Sequence, residues 1–185
     1  MTGIDRHSLP TFVGAALSAL PPAPLVGNIA PAGIPIRLTS NTQALFAPYV
    51  ARLVGHRATA PMVRIAANVM PTLPAWTDEA CSPQRFHEIL AAHGLKAAYP
   101  FRPGLWQMLD TRTGIGALLV DDITRLPPWD AGAPLRQHLP WLLGMHGKRV
   151  MHASSLGEAG KGLLFVGNAG AGKSGMAPAS SPMLR

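Results

Sequence analysis

The chain has 185 residues, 48% of them hydrophobic and 14% charged, a balance that excludes a charge-rich disordered chain and suffices for one core or two small lobes. Its net charge is +7, but the basic residues are scattered (Arg37, Arg52, Arg57, Arg64, Arg85, Arg102, Arg125) and form no run interleaved with aromatics, so charge alone does not indicate nucleic acid. No apolar run approaches the ~20 residues that cross a bilayer, and the lone Cys81 has no internal disulfide partner; the expectation is a cytoplasmic protein with no membrane partner.

Residues 1–32 are rich in Ala, Pro and Gly and read as a leader segment; "TFVGAALSALPPAP", from Thr11, is too short and carries too little upstream charge for a signal peptide. From Ile34 the pattern tightens. Ile34, Ile36 and Leu38 alternate with Pro35 and Arg37, as in a strand with one apolar face. Ser40 and Asn41 are suited to cap a helix over Thr42 to Leu53, whose Leu45, Phe46, Tyr49, Val50 and Leu53 share a face. "PMVRIAANVM" (Pro61 to Met70) predicts a second strand, followed by a Pro-broken linker to Pro83.

"PQRFHEILAAHG" predicts a helix with Pro83 near its start and Gly94 at its end. Gly104 to Asp122 reads as a β-hairpin turning at Asp110 to Gly114. "LRQHLPWLLGMHG" is a helix pattern with Leu135, Leu139, Leu142 and Leu143 inward, a kink at Pro140 and Gly147 at the cap. "KRVMHASSL" and "GKGLLFVG" are two strands joined by "GEAG". The expected class is α/β: a mixed lobe over 33–147, then the first strands of a nucleotide-binding domain over 148–185.

"GNAGAGKS", Gly167 to Ser174, matches the phosphate-loop pattern G-x-x-x-x-G-K-[ST] at every defined position and follows the apolar run "GLLFV", read as a buried strand. Each residue type has a reason. Gly167, Gly170 and Gly172 let backbone N–H groups wrap phosphate oxygens, with Asn168, Ala169 and Ala171 supplying further amides. A helix start would add its unsatisfied N–H groups and positive dipole end. Lys173 offers a charge to the β- and γ-phosphates, and Ser174 a hydroxyl ligand for Mg²⁺. ATP and Mg²⁺ are the expected cofactors.

"GALLVDD" (Gly116 to Asp122) imitates a Walker B strand but precedes the loop, so Asp121 and Asp122 read as capping or turn residues. The seven His residues show no metal spacing. His152, in the strand before the phosphate-loop strand, is a weak catalytic candidate whose ordinary reading is a half-buried strand histidine.

Taken together, "KRVMHASSLGEAGKGLLFVGNAGAGKSG" resembles the start of the catalytic domain of the HPr kinase/phosphorylase-like serine kinases: a His-bearing strand followed by small residues, a Gly-containing hairpin, an apolar strand and the loop. The match is specific over about Val150 to Gly175 and architectural upstream. The resemblance implies an ATP-dependent kinase that phosphorylates a Ser on a protein or peptide, with nucleotide contacts at Gly167 through Ser174 and Mg²⁺ at Ser174. The family's general base and second metal carboxylate lie after the loop.

Only eleven residues follow Ser174, with Gly175, Pro178 and Pro182 among them. Pro178 would crowd the Ser174 carbonyl and lacks an N–H, costing a helix interior about 3 kcal/mol. This sets the expectation of a truncated kinase, inactive alone. The alternatives are a non-catalytic nucleotide- or phosphate-binding protein and a peptide-interaction module with a vestigial loop.

Overall fold

The computed structural model describes residues 3–52, 63–70, 72–98, 104–126, 135–151, 153–158 and 161–168. The chain divides into two units, Met1–Gly147 and Lys148–Arg185. In the first, the elements are α1 (Leu9–Ser18), β1 (Leu25–Ile29), β2 (Ile36–Ser40), α2 (Gln43–Arg52), β3 (Val63–Val69), α3 (Pro83–Ala91), β4 (Leu95–Ala98), β5 (Leu105–Asp110), β6 (Ile115–Val120) and α4 (His138–Met145). Six strands form one mixed sheet in the order β1-β2-β3-β6-β5-β4. At its centre β2, β3 and β6 run parallel; β1, β5 and β4 add antiparallel. The α/β class read from the alternating patterns is the class the chain adopts.

The two-residue period of β2 sends Ile36, Leu38 and Ser40 to one face, where Ile65 and Ala67 of β3 join them. That face is covered by Leu45, Phe46 and Val50 of α2 and by Leu135, Leu142 and Leu143 at α4. On the opposite face α1 and α3 pack over Trp106, Met108, Ala117 and Leu119. Because both faces are covered, β5 and β6 show no alternation of burial and are buried almost end to end. Tyr49's side chain and Leu53, expected on the inner face of α2, lie outside the described residues.

The reading of residues 1–32 as a leader is corrected. Leu9, Val13 and Leu17 recur every four residues and form the buried stripe of α1. The Phe12 ring meets Trp106 edge-on at 5.0 Å. Ahead of the helix, the Ile4 amide donates to Ala75 O at 2.8 Å and the Thr77 amide to Ile4 O at 2.8 Å. Arg6 donates twice to the Asp78 carboxylate, at 2.5 and 2.8 Å, and this hydrogen-bonded pairing holds the Asp78 carboxyl below its ordinary pKa. An Ala- and Leu-rich segment is a good helix former, and a free sheet face supplied the burial its composition alone did not reveal. β1 is likewise an edge strand, and β4 a four-residue one.

Local chemistry fixes the remaining ends. Ser82 caps α3 by accepting from the Arg85 amide at 3.2 Å, and Gly94, at φ 68°, takes the left-handed position after it. Pro140 lies in the first turn of α4; the Leu139 amide donates to Leu135 O at 2.9 Å one turn ahead, and Pro140, lacking an N–H, cannot continue that series. At the carboxyl ends of β2 and β3, the Asn41 side chain pairs with Val69 as a backbone would: its Nδ2 donates at 2.8 Å and its Oδ1 accepts at 2.9 Å.

His138, on α4, is wholly buried, and its Nε2 lies 3.1 Å from the carbonyl oxygens of both Met108 and Ala117. Two acceptors require Nε2 to carry the hydrogen, and burial lowers the ring's pKa to about 4, so it is neutral near pH 7. A Cβ on Gly116 would come within 3.3 Å of the ring's Cδ2, so this glycine makes room for it.

The second unit contributes β7 (Ala153–Glu158) and β8 (Lys161–Val166), paired antiparallel from Ala153 with Val166 to Glu158 with Lys161. β8 forms within the predicted "GKGLLFVG"; β7 begins at Ala153 instead of Lys148 and runs through Gly157 and Glu158, which the sequence assigns to the turn, because both find partners in Gly162 and Lys161. The expectation that "GLLFV" is buried is corrected: Leu163, Leu164 and Val166 are 51, 54 and 60% exposed. Among the described residues β8 pairs only with β7, and a two-stranded ribbon presents both its faces to solvent.

Candidate functional site

The phosphate-loop motif begins where β8 ends. Gly167 and Asn168 leave the strand directly after Val166, and both are exposed. This is the strand-then-loop order that a phosphate cradle needs, since a strand end fixes where the first loop amides point. Ala169, Gly170, Ala171, Gly172, Lys173 and Ser174 lie outside the described residues, as does His152. In sequence the motif comprises three glycines, one lysine and one hydroxyl-bearing serine among its eight residues, with no thiol or imidazole.

The Asp121–Asp122 pair occupies the turn after β6. The Asp121 amide donates to Gly104 O at 2.9 Å. Asp122 accepts from the Thr124 amide at 2.9 Å and from its hydroxyl at 2.8 Å, capping the short 3-10 turn Ile123–Arg125. That is a turn role, as its position ahead of the loop suggests. Among the described residues no group of three or more His, Cys, Asp or Glu side chains could hold a metal ion. No described helix is long and apolar enough to cross a membrane.

A second polar feature lies on the six-stranded sheet. Parallel pairing of β2 with β3 sets Arg37 directly beside Arg64, and Thr39 beside Ala66. These four residues line a cavity of about 400 Å³ whose apolar wall comes from Leu17 and Leu20 at the end of α1 and from Ile115. Three ion pairs occur among the described residues, Arg6–Asp78, Arg85–Glu88 and Arg112–Asp110, and neither Arg37 nor Arg64 belongs to one. The sequence shows these arginines only as two scattered charges, 27 positions apart. A signal existed in the matched alternation of "IRL" and "VRI", each with Arg between apolar residues, but only the register makes them neighbours.

Comparison of the chain with protein-family models, with curated proteins and with solved structures finds no match to any of them.

Proposed function

We propose that this chain binds Mg²⁺-ATP through Gly167, Asn168, Ala169, Gly170, Ala171, Gly172, Lys173 and Ser174, and that it descends from ATP-dependent serine kinases of the HPr kinase/phosphorylase type. The reading includes a protein or peptide Ser as phosphoryl acceptor and a cytoplasmic setting. One observation carries it: a full phosphate-loop motif starts directly after the last residue of a strand, β8, that is hairpin-paired to the "ASS" strand β7. Backbone amides of the glycine-rich run would hold phosphate oxygens, Lys173 would neutralise their charge, and Ser174 would ligate Mg²⁺. The bound metal would supply charge neutralisation across the phosphates.

A second reading is nucleotide or phosphate binding without phosphoryl transfer, and the fate of the described carboxylates favours it. Asp122 is engaged by Thr124, while Asp78 and Asp110 are engaged by Arg6 and Arg112. Titration with Mg²⁺-ATP separates the readings from the absence of a nucleotide site. Saturable binding that Lys173→Ala weakens by about tenfold or more is expected, the loss of one charged phosphate contact. Equal binding by both proteins would sink the nucleotide assignment. Transfer of the γ-phosphate to a Ser-containing peptide by the pure chain would then select the kinase reading over binding alone.

A further inference from the structure

We propose that the cavity lined by Arg37, Arg64 and Thr39 is a binding site for a small phosphomonoester, distinct from the phosphate-loop motif and independent of the kinase reading. Arg37 and Arg64 are register partners on neighbouring parallel strands and share one face of the sheet. Strands lie about 4.8 Å apart, so two guanidinium groups emerge side by side. Both arginines are exposed at the cavity, so solvent screens part of their mutual repulsion, and a bound anion would remove the rest.

Nothing in the described protein does so. Among the described residues no acidic side chain lines the cavity, and neither guanidinium has an ion-pair or hydrogen-bond partner. The chain has 16 basic and 9 acidic residues, so carboxylates are scarce, yet three of them are matched to other arginines. A dianion supplies the missing charge. A phosphomonoester carries nearly two negative charges at neutral pH and offers three acceptor oxygens, matching two forked cations and the Thr39 hydroxyl.

The rest of the cavity sets the class of ligand. Leu17, Leu20, Ala66 and Ile115 give an apolar wall beside the cationic floor, and about 400 Å³ falls within the range of small-molecule sites. An anionic head with a compact organic body fits both parts. A monocarboxylate would leave one guanidinium uncompensated.

The test is titration of the full chain with phenyl phosphate in low-ionic-strength buffer, with inorganic phosphate and benzoate as comparison ligands. Phenyl phosphate should saturate one site, bind more tightly than inorganic phosphate because of the apolar wall, and bind at least tenfold more tightly than benzoate. Arg37→Gln with Arg64→Gln should weaken it about tenfold or more while leaving Mg²⁺-ATP binding unchanged; Lys173→Ala should leave it intact. The two proposals therefore fail separately.

Unchanged binding in the double variant overturns the assignment, as does loss of binding in Lys173→Ala alone. Benzoate binding as well as phenyl phosphate removes the dianion argument. A phosphoserine peptide binding more tightly than phenyl phosphate overturns the small-molecule assignment. If the double variant does not fold, amide shifts of the unmodified chain decide: changes clustered at Thr39, Ala66, Ile115 and Gly116 support the site, and changes elsewhere refute it.

Discussion

The hairpins β5–β6 and β7–β8 are locally alike and end up in opposite environments. Each pairs six residues with six in antiparallel register, and each carries an apolar run, "ALLV" in β6 and "LLFV" in β8. Yet Ala117 to Val120 are at most 2% exposed, while Leu163, Leu164 and Val166 are more than half exposed. The difference is made by neighbours. β6 has β3 on its other edge and helices over both faces; among the described residues β8 has β7 alone. An apolar strand sequence states a capacity for burial, and the layers around it decide whether that capacity is used.

That contrast can be broken by substitution, and the largest effect is expected at the centre of the covered sheet. Trp106 is fully buried, and its indole N–H donates to Pro74 O at 2.9 Å. Trp106→Ala should destabilise the first unit by about 3–5 kcal/mol in urea unfolding, through the lost burial and the cavity left behind. A cost below about 1 kcal/mol would mean that α1 does not close this face.

The next effect is a pH dependence centred on the same hairpin. His138 is neutral when folded, with a pKa of about 4, and titrates near 6.5 when unfolded. Its folded pKa is depressed, so the stability it contributes is fully present above pH 6.5, declines as pH falls below it, and is gone below about pH 4. The shift corresponds to about 3 kcal/mol, an order-of-magnitude figure. Hydrogen bonding to Arg6 holds the Asp78 pKa below 3.8, and at Asp110 burial pushes up but the hydrogen bonds from Arg112 outweigh it, so the contributions of both are lost only at lower pH. Unfolding measured from pH 7 to 4.5 should therefore steepen through His138 and flatten in His138→Gln; an equal slope in both proteins would sink the assignment.

Smaller effects sharpen the comparison. Ser82→Ala removes the α3 cap and should cost about 1 kcal/mol, read from the shift in denaturation midpoint. Leu164→Ala, in the exposed hairpin, should change stability by no more than about 0.5 kcal/mol. A loss near that of a core leucine would show that β8 is covered in solution. Backbone amides of β7 and β8 should also exchange with solvent faster than those of β3 and β6, which lie inside the sheet.

Much of this molecule was legible from periodicity. The strands at Ile36 and Val63, the α2 stripe at Leu45 and Phe46, the helix starting at Pro83, and the turn at Asp110 to Gly114 all follow from local spacing and turn chemistry. α1 is hard to read from sequence because Ala and Pro dominate its neighbourhood, and the four-residue recurrence of Leu9, Val13 and Leu17 gains meaning only from the sheet face it covers. β4 was missed because "LKAA" is too short to show a period, and its pairing with β5 is what makes it a strand. The pattern G-x-x-x-x-G-K-[ST] can be read from sequence because it consists of consecutive residues.

The sequence by itself determined the α/β alternation and the turn at Asp110 to Gly114, since each depends on residues within a few positions of one another. Tertiary structure alone decided that Leu9, Val13 and Leu17 have a sheet face to cover, that His138 is enclosed against Met108 and Ala117, and that Arg37 stands beside Arg64. Those outcomes depend on strand order and register, which bring together residues that no local pattern connects.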